Sequence, residues 1–224
     1  MPEILFCDGD IVVCVKPAGL DSEHAMPREL AEGLGGKALC VHRLDAGVSG
    51  VMVYARNAES AAALSRSFAG RGAEKRYLAV LNGCPAEPEG ILRDLIYHDA
   101  RSNKSFVVQR ERRGVREAAL SYRVLESRGA LSLVEVTLLT GRSHQIRVQF
   151  ASRKMPLAGD TRYGARGEKC PVALLSRTLS FPHPRTGEPM SLDCPIPDAY
   201  PWSIFASLQT GGGKNAELPS DAVL

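Results

Sequence analysis

Residues 41–56 decide how the rest of the chain is interpreted; they read Val-His-Arg-Leu-Asp-Ala-Gly-Val-Ser-Gly-Val-Met-Val-Tyr-Ala-Arg. They place one carboxylate, Asp45, between a basic pair and a Gly-x-x-Gly turn, and the apolar run Val51 to Ala55 follows at once. Gly47 and Gly50 let the backbone turn sharply and approach a partner closely. The run behind them predicts a strand that anchors the loop to a sheet. An acid on such a loop suits chemistry, whereas an Asp that merely caps a turn is the alternative.

The composition predicts one globular domain of ordinary to large size. The chain has 224 residues, of which 44% are hydrophobic and 24% charged, values typical of soluble proteins. No apolar run is long enough to cross a membrane, and the N-terminus lacks the pattern of a secretory signal, so we expect a cytoplasmic location. Six cysteines occur without a C-x-x-C pair, which favours buried thiols over disulfides or a zinc site.

Basic residues are concentrated in two segments, although the net charge is only +3. One segment covers residues 101–116 and the other residues 142–169. If the fold brings them together, they form one basic face, which is the electrostatic signature of a phosphate-backbone partner. Ordinary solvated surface charge is the alternative for either segment alone.

Local patterns predict a mixture of strands and helices. Ile4 to Phe6, Ile11 to Val15, Lys75 to Asn82 and Val172 to Leu175 are predicted strands, and residues 118–126 and 130–140 a hairpin. Predicted helices run from Pro27 to Leu34 and, capped by Asn57, from Ala58 to Ala69. Residues 144–152 are predicted to be a helix capped by the Thr140–Ser143 segment, with a strand as the alternative because Ile146, Val148 and Phe150 alternate. Residues 91–117 are expected to form short strands or a mobile loop. The catalytic domain is expected to span 1–208, followed by a disordered tail, 209–224.

Four separated blocks share one order along the chain, and together they resemble the RluA-type pseudouridine synthases. The resemblance covers roughly residues 4 to 206, and its most specific parts are His-Arg-Leu-Asp and Gly-Arg-x-His-Gln-Ile-Arg. The blocks are Val15–Leu20, His42–Asp45 with Ser49-Gly50, Lys75–Gly83, and Thr140–Arg147 continued by Gly159-Asp160-x-x-Tyr163-Gly164.

The resemblance implies an enzyme that isomerises uridine to pseudouridine in ribosomal or transfer RNA without a cofactor or metal. The implied fold is α+β, a mixed, mainly antiparallel sheet in two halves flanked by helices around a central cleft. The implied catalytic residues are Asp45, Tyr77 and Arg147. Residue chemistry agrees, since a guanidinium can hold and orient a carboxylate and a tyrosine ring can stack on a base. Whether Asp45 attacks C1′, adds to C6 or removes a C2′ proton stays open.

A second group of residues is expected to bind substrate or RNA. These residues are Lys16, Arg43, Arg142, His144 and Ile146. The competing interpretations are structural: Tyr77 as a core tyrosine, Arg147 as an ion pair, Arg142 as a surface salt bridge, and His42 and His144 as loop-fastening hydrogen-bond partners. Lys16 is expected to shape the cleft or its rim, with an ordinary lysine at the end of a strand as the alternative. Because the blocks begin almost at residue 1, we expect a stand-alone catalytic domain. We also expect a monomer with no membrane partner.

Three departures from the family pattern keep rival functions open. Val48 replaces a common threonine, Gln149 a usual histidine, and Ser176 the histidine of a Leu-His-Ala segment. Besides an active synthase, we therefore consider a catalytically silent RNA-binding relative. A third candidate is an unrelated hydrolase that uses Asp45 with His42 or His144.

Overall fold

The computed structural model of the protein describes residues 1–70, 72–167 and 169–205, and the predicted tail 209–224 lies outside them. The described residues build one mixed sheet of eleven strands with three α-helices. The strands are β1 Glu3–Cys7, β2 Ile11–Lys16, β3 Leu39–Cys40, β4 Ser49–Ala55, β5 Glu74–Asn82, β6 Glu89–Asp99, β7 Lys104–Val108, β8 Val115–Arg128, β9 Leu131–Leu138, β10 Leu174–Pro182 and β11 Pro189–Asp193. The helices are α1 Ala25–Leu34, α2 Ala58–Ala69 and α3 Gln145–Ala151, and Thr161–Tyr163 and Trp202–Ile204 form 3-10 turns.

The sheet has two halves that meet at β10. Its order is β1-β2-β4-β10-β5-β9-β8-β6-β7, with β3 paired to β4 and β11 to β10. Every pairing is antiparallel except that of β4 with β10. The expected α+β class, with a mainly antiparallel sheet in two halves, is confirmed. The parallel contact matters for function because it fixes the strand behind Asp45 against the other half.

Gly50 makes this parallel contact possible. It pairs with Ser176 across the β4–β10 junction, and its φ of +132° disfavours any other residue. A Cβ at this position would lie 2.4 Å from the carbonyl oxygen of Ser176 and 2.5 Å from its nitrogen, which no real side chain tolerates. The close approach predicted for this turn is therefore correct at Gly50.

Hydrophobic cores lie on both faces of the sheet. Along β4, Met52 and Tyr54 pack into the core on one face, whereas Val51, Val53 and Ala55 pack into the core on the other. Such a strand has no polar face, which is why its sequence is continuously apolar. Each large side chain buried here contributes roughly 1.5–3 kcal/mol to folding, so the strand is a rigid support for the loop before it.

Helix α2 has the bounds predicted from its sequence, Ala58 to Ala69, and its cap is present: the Asn57 side chain accepts a hydrogen bond of 2.8 Å from the Ser60 N–H. Helix α1 begins two residues earlier than predicted, at Ala25. No helix of the described residues has both the length and the apolar character needed to span a membrane.

Residues 145–151 form the helix α3, so the strand alternative for residues 144–152 is wrong. All residues from Gln145 to Phe150 are buried, so the apolar alternation reflected a helix enclosed on every side rather than a strand face. The predicted side-chain cap is also wrong. His144 precedes the helix in a left-handed conformation with no side-chain cap bond, and instead the Gln145 Oε1 accepts bonds from the Arg142 N–H and the Thr140 hydroxyl.

The mobile loop considered for residues 91–117 is replaced by long, paired strands. β6 has eleven residues, pairs with both β7 and β8, and turns into β7 at residues 100–103. β10 is likewise longer than the strand predicted for Val172 to Leu175, and starts at Leu174. Both strands contain polar residues, exposed ones such as Glu89 and Arg93 in β6 and buried or half-buried ones such as Ser176 and Arg177 in β10. Polar residues weaken a strand pattern without preventing pairing.

Candidate active site

Asp45 lies on a tight turn that leads into β4. The Val48 N–H donates to the Asp45 carbonyl at 2.9 Å and closes the turn, and the side chain of Asp45 is 22% exposed. The carboxylate is therefore held on a short, ordered loop and still reaches solvent.

Lys16 fastens this loop from beneath. Its ammonium donates to the carbonyls of Pro17, Leu20 and Ala46 at 2.9, 2.8 and 3.1 Å, and the residue is fully buried. Burial lowers the pKa of Lys16 to about 8, against the opposing charges of Asp45 and Asp21. The direct RNA contact expected for Lys16 is not possible from this buried position. Two of its donors are used by its own turn, at Pro17 and Leu20, and the third by Ala46, the residue after Asp45.

Arg147 connects two carboxylates. Its Nη1 donates to the Asp45 Oδ2 at 3.0 Å, while its Nε and Nη2 donate to the two oxygens of Asp160 at 2.7 and 2.9 Å. Burial opposes the charge of Arg147, but the hydrogen bonds and charges of Asp160 and Asp45 outweigh it and raise the pKa of Arg147. The guanidinium is thus permanently charged and fixed in direction.

Asp160 is a site residue that sequence reasoning placed in a motif but gave no role. It is completely buried and follows Gly159, whose φ is +73° and whose Cβ position lies 2.4 Å from the Pro171 carbonyl. The Gly-Asp pair therefore brings the carboxylate into a space that only a glycine-led turn can enter. The role of Asp160 could have been predicted from one feature of the sequence, the neighbouring block that contains Arg147, because a buried arginine requires an acidic partner.

His144 lies beside the carboxylate of Asp45, and Tyr163 contacts both His144 and Arg147. The His144 Nε2 lies 3.6 Å from the Asp45 Oδ2, and its Nδ1 is hydrogen-bonded to the Tyr163 hydroxyl at 2.8 Å. The ring of Tyr163 also lies against the Arg147 guanidinium, 5.1 Å from ring centre to carbon. Tyr163 was not among the predicted site residues, although its Tyr-Gly dipeptide closes one of the four blocks.

Tyr77 lies beneath Asp45 rather than in the open wall of the cleft. It is 5% exposed and belongs to the same buried cluster as Leu44, Val48 and Ile146. Burial and then the Asp45 charge raise the pKa of Tyr77, so its hydroxyl stays protonated near the carboxylate. Ile146 is similarly buried, which makes it a packing residue below the site in this state.

A cleft of about 320 Å³ opens above Asp45; we call it the Asp45 cleft. One rim carries Arg43 and Glu23, which pair at 3.3 Å, and the other carries Asn103 and Arg162. The lining residues are Asp21, Ser22, Glu23, Arg43, Leu44, Asp45, Ala46, Gly47, Asn103, Ser143, His144, Arg147, Gly159, Asp160, Thr161, Arg162 and Val172. Arg142 is exposed, is not part of this lining, and donates its Nε to the Glu117 carbonyl at 2.9 Å.

The two basic segments meet next to this cleft. Arg162 donates to the carbonyls of Ser102 and Asn103 at 3.1 and 2.7 Å, and Lys104 lies 5.5 Å from the centre of the Tyr163 ring. Within the described parts of both segments, the carboxylate ion pairs are those of Arg147 and Arg153. Cations of both segments therefore remain available beside the cleft for an anionic partner.

His42 cannot act with Asp45. Its Nε2 accepts the Val53 N–H at 3.1 Å, and its ring stacks on Phe68 with centres 4.4 Å apart. Burial, and then the charge of Lys75, hold the pKa of His42 well below its ordinary value. The loop-fastening interpretation of His42 fits this geometry, and the hydrolase that relies on it has no geometric support.

Among the described residues, one group of side chains could be considered as a metal site. It lies at the end of β2 and β4 opposite to the Asp45 loop. Ligand atoms of Asp8, Asp10 and His183 lie within 4.8 Å of one another. Their bonds are already made, however: Arg185 donates to both Asp10 oxygens at 2.5 and 2.7 Å, and His183 is bonded to Asp8 at 2.9 Å. This cluster ties the β10–β11 turn to the first hairpin.

The comparison with known families decides what this site belongs to. The model of the RNA pseudouridylate synthase family matches residues 10–152. The chain belongs to this family. The family consists of isomerases that act on RNA, and the match includes Asp45, Tyr77 and Arg147, but not Asp160 or Tyr163.

Individual relatives agree with the family assignment. The chain is 32% identical to the RNA pseudouridine synthase YlyB of Bacillus subtilis over 88% of this chain and 69% of that protein. It is 31% identical to the ribosomal large subunit pseudouridine synthase D of Neisseria meningitidis over 98% of this chain and 64% of that protein. The fold is similar to that of human RNA pseudouridylate synthase domain containing 4, with a TM-score of 0.74, 26% identity, and coverage of 87% and 88% of the two chains.

Proposed function

We propose that this protein converts a specific uridine of ribosomal or transfer RNA to pseudouridine, with Asp45 as the catalytic carboxylate. The observation that carries the proposal is the fixed contact between the Asp45 Oδ2 and the Arg147 guanidinium at the floor of an open cleft. A carboxylate can act as a covalent or basic catalyst, and the buried, charged guanidinium fixes the direction of this one.

The reaction needs few groups, and we assign them to residues of this site. The bond between N1 of uracil and C1′ of ribose breaks, the base turns, and a bond forms between C5 and C1′. The C5 proton leaves and N1 gains a proton, so the mass of the RNA does not change. Asp45 is the reactive group facing the cleft, and the protonated hydroxyl of Tyr77 lies beneath it.

The size and charge of the site favour a single extruded nucleotide. A cleft of about 320 Å³ is at the lower end of the roughly 300–1,000 Å³ typical of ligand pockets. A base in a helix must therefore be flipped out to enter, at a cost of a few kcal/mol. The cations at residues 101–104 and 162 are placed to offset that cost through the flanking phosphates. The name of the Neisseria relative supports large-subunit ribosomal RNA as the first substrate to test.

The decisive experiment is a pseudouridine map of cellular RNA from the wild type, a gene deletion, and deletions complemented with the wild-type or Asp45→Asn gene. We expect one or a few sites to disappear in the deletion and to return only with the wild-type gene. Return of the same sites with Asp45→Asn would refute the catalytic role of Asp45.

The catalytically silent RNA-binding relative is distinguished by the same map. It predicts identical maps in all four strains, together with RNA recovered on the purified protein. The three family departures do not remove a group of the site: Val48 packs in the core beneath Asp45, Gln149 is hydrogen-bonded to Asp94 at 2.7 Å, and Ser176 lies at the β4–β10 junction.

A further inference from the structure

We propose that Tyr163 is a positioning residue: its hydroxyl proton fixes the neutral Nε2–H tautomer of His144 and thereby directs a second hydrogen-bond donor, beside Arg147, at the Oδ2 of Asp45. Only the expected effect on the rate of pseudouridine formation rests on the proposed function. The structural part of the inference concerns which nitrogen of His144 carries the proton.

The direction of the hydrogen bonds follows from the backbone. The Ser105 N–H can only donate, and it donates to the Tyr163 hydroxyl at 2.8 Å. The phenol proton is then directed to the other polar atom bonded to this oxygen, the His144 Nδ1 at 2.8 Å. Ser105 is itself fixed, because its own hydroxyl donates to the Ser143 carbonyl at 2.6 Å. With Nδ1 as acceptor, a neutral imidazole must carry its proton on Nε2.

The charges around His144 favour the same state. The groups facing it are Asp45 on the β3–β4 loop, Arg147 on α3, Arg162 and Tyr163 on the 3-10 turn, and His98 on β6. Burial lowers the pKa of His144, and the cations at 147 and 162 add to this effect, while Asp45 opposes it. The ring is therefore neutral, and the other tautomer would direct the Nε2 lone pair at a carboxylate oxygen 3.6 Å away.

The two oxygens of the Asp45 carboxylate would then have different roles. Arg147 and His144 both approach Oδ2, at 3.0 and 3.6 Å. Among the described residues no hydrogen bond is made to Oδ1 of Asp45, so this oxygen is left for the substrate. A donor at 3.6 Å is long, but catalytic hydrogen bonds commonly shorten when substrate binds. The Nε2–H would then hold the carboxylate plane so that Oδ1 faces the ribose.

The tautomer is measured directly in the full-length, ¹⁵N-labelled protein. Long-range ¹H–¹⁵N spectra at pH 7.5 distinguish the two tautomers and the imidazolium, and the His144→Gln variant identifies the His144 signals among the five histidines. We expect the Nε2–H tautomer in the wild type and a shift towards Nδ1–H in Tyr163→Phe. Nδ1–H or imidazolium in the wild type, or an unchanged tautomer in Tyr163→Phe, would overturn the proposal.

Turnover on RNA tests the consequence. Loss of one hydrogen bond predicts a kcat about 3- to 10-fold lower in Tyr163→Phe, with KM for RNA unchanged. Tyr122→Phe is the matched control, since its hydroxyl donates to the Glu87 carbonyl at 3.4 Å and, within the described part of the chain, has no bond to a residue of the Asp45 cleft. It should behave as wild type. A wild-type kcat in Tyr163→Phe, or an equal loss in Tyr122→Phe, would contradict the positioning role.

A second pair of variants keeps the test valid if Tyr163→Phe folds poorly. The amide nitrogen of glutamine can replace Nε2–H, whereas asparagine reaches only the position of Nδ1. His144→Gln should therefore retain more activity than His144→Asn, and the reverse order would refute the donor role. If the wild type forms no pseudouridine, the proposed function fails, while the tautomer spectra still decide the structural part.

Discussion

Arg147 reaches Asp45 while its opposite edge is held by Asp160. The bidentate contact with Asp160, at 2.7 and 2.9 Å, uses the Nε and Nη2 of the guanidinium and leaves Nη1 directed at Asp45, 3.0 Å away. Asp160 is fully buried and Asp45 partly exposed. Asp160 thus fixes the arginine, Asp45 is the partly exposed carboxylate in the cleft, and the planar guanidinium joins the two.

Replacing Arg147 by lysine should reduce turnover far more than stability. A single ammonium cannot satisfy Asp160 at two points and also hold Asp45. We expect kcat for pseudouridine formation to fall about 100-fold and the free energy of unfolding by about 1–3 kcal/mol. Single-turnover assays and urea titration measure the two effects.

Arg153→Lys is the matched control. Arg153 also makes a two-point contact with a carboxylate, Asp94, at 2.9 and 3.2 Å, but that carboxylate does not line the cleft. It should lose some stability and no turnover. If Arg147→Lys lowers only the melting temperature, Arg147 is a structural ion pair and has no part in the reaction.

Asp45→Asn should abolish product formation and leave RNA binding intact. The amide keeps the shape of the side chain but has neither the charge nor the basicity of a carboxylate. We expect the rate to fall at least ~10³-fold and the dissociation constant for RNA to stay within a few-fold. Filter binding and mass spectrometry of digested RNA measure these quantities. Glu135→Gln removes an equivalent charge, paired with Arg123, and should change neither. A variant at position 45 that still forms pseudouridine would end the assignment.

Local rules in the sequence were sufficient where neighbours in the chain determine the structure. Asn57 caps α2 through a residue three positions away, and β4 is a continuous apolar run, so both were predicted correctly. The pairing of Asp45 with Arg147, 102 positions apart, was expected only because the blocks resemble a family. No spacing rule connects such distant residues.

The errors at the site itself come mainly from burial by parts of the chain that are distant in sequence. Lys16 was expected at RNA, but it is fully buried, and the distant Ala46 carbonyl takes the donor that the nearby carbonyls of Pro17 and Leu20 leave. Asp160 and Tyr163 received no role because their partners lie on α3 and β7. In α3, polar residues such as Gln145 are buried, and the Gln145 side chain donates to the Ala119 carbonyl. The polar residues of this helix therefore did not indicate a face exposed to solvent.

Gly50→Ala should destabilise the protein at the junction of the two sheet halves. The new methyl group would meet the Ser176 backbone at 2.4–2.5 Å, in addition to the strain of a positive φ. We expect a loss of at least ~2 kcal/mol in chemical denaturation. Gly187→Ala separates the two terms, because Gly187 has a φ of +74° with nothing within 4 Å. Its cost should be about 1 kcal/mol, and equal losses in both variants would refute the close approach.

The buried His42 should make the folded state sensitive to acid. Its pKa in the folded protein lies well below the ordinary value of 6.5, chiefly because of burial. The unfolded chain therefore binds a proton that the folded chain rejects. The contribution of His42 to stability is complete above pH 6.5 and is lost as the pH falls, by up to about 1.4 kcal/mol per pH unit. Urea titrations from pH 7.5 to 5 measure this slope.

The variant His42→Gln isolates that contribution. It should be less stable than the wild type at pH 7.5, because the stack on Phe68 and the bond from the Val53 N–H are weakened, yet lose stability less steeply below pH 6.5. His144 contributes in the same direction and is present in both proteins, so the difference in slope belongs to His42. Parallel slopes for wild type and His42→Gln would show that His42 accepts a proton without unfolding, which a ring accepting the Val53 N–H cannot do.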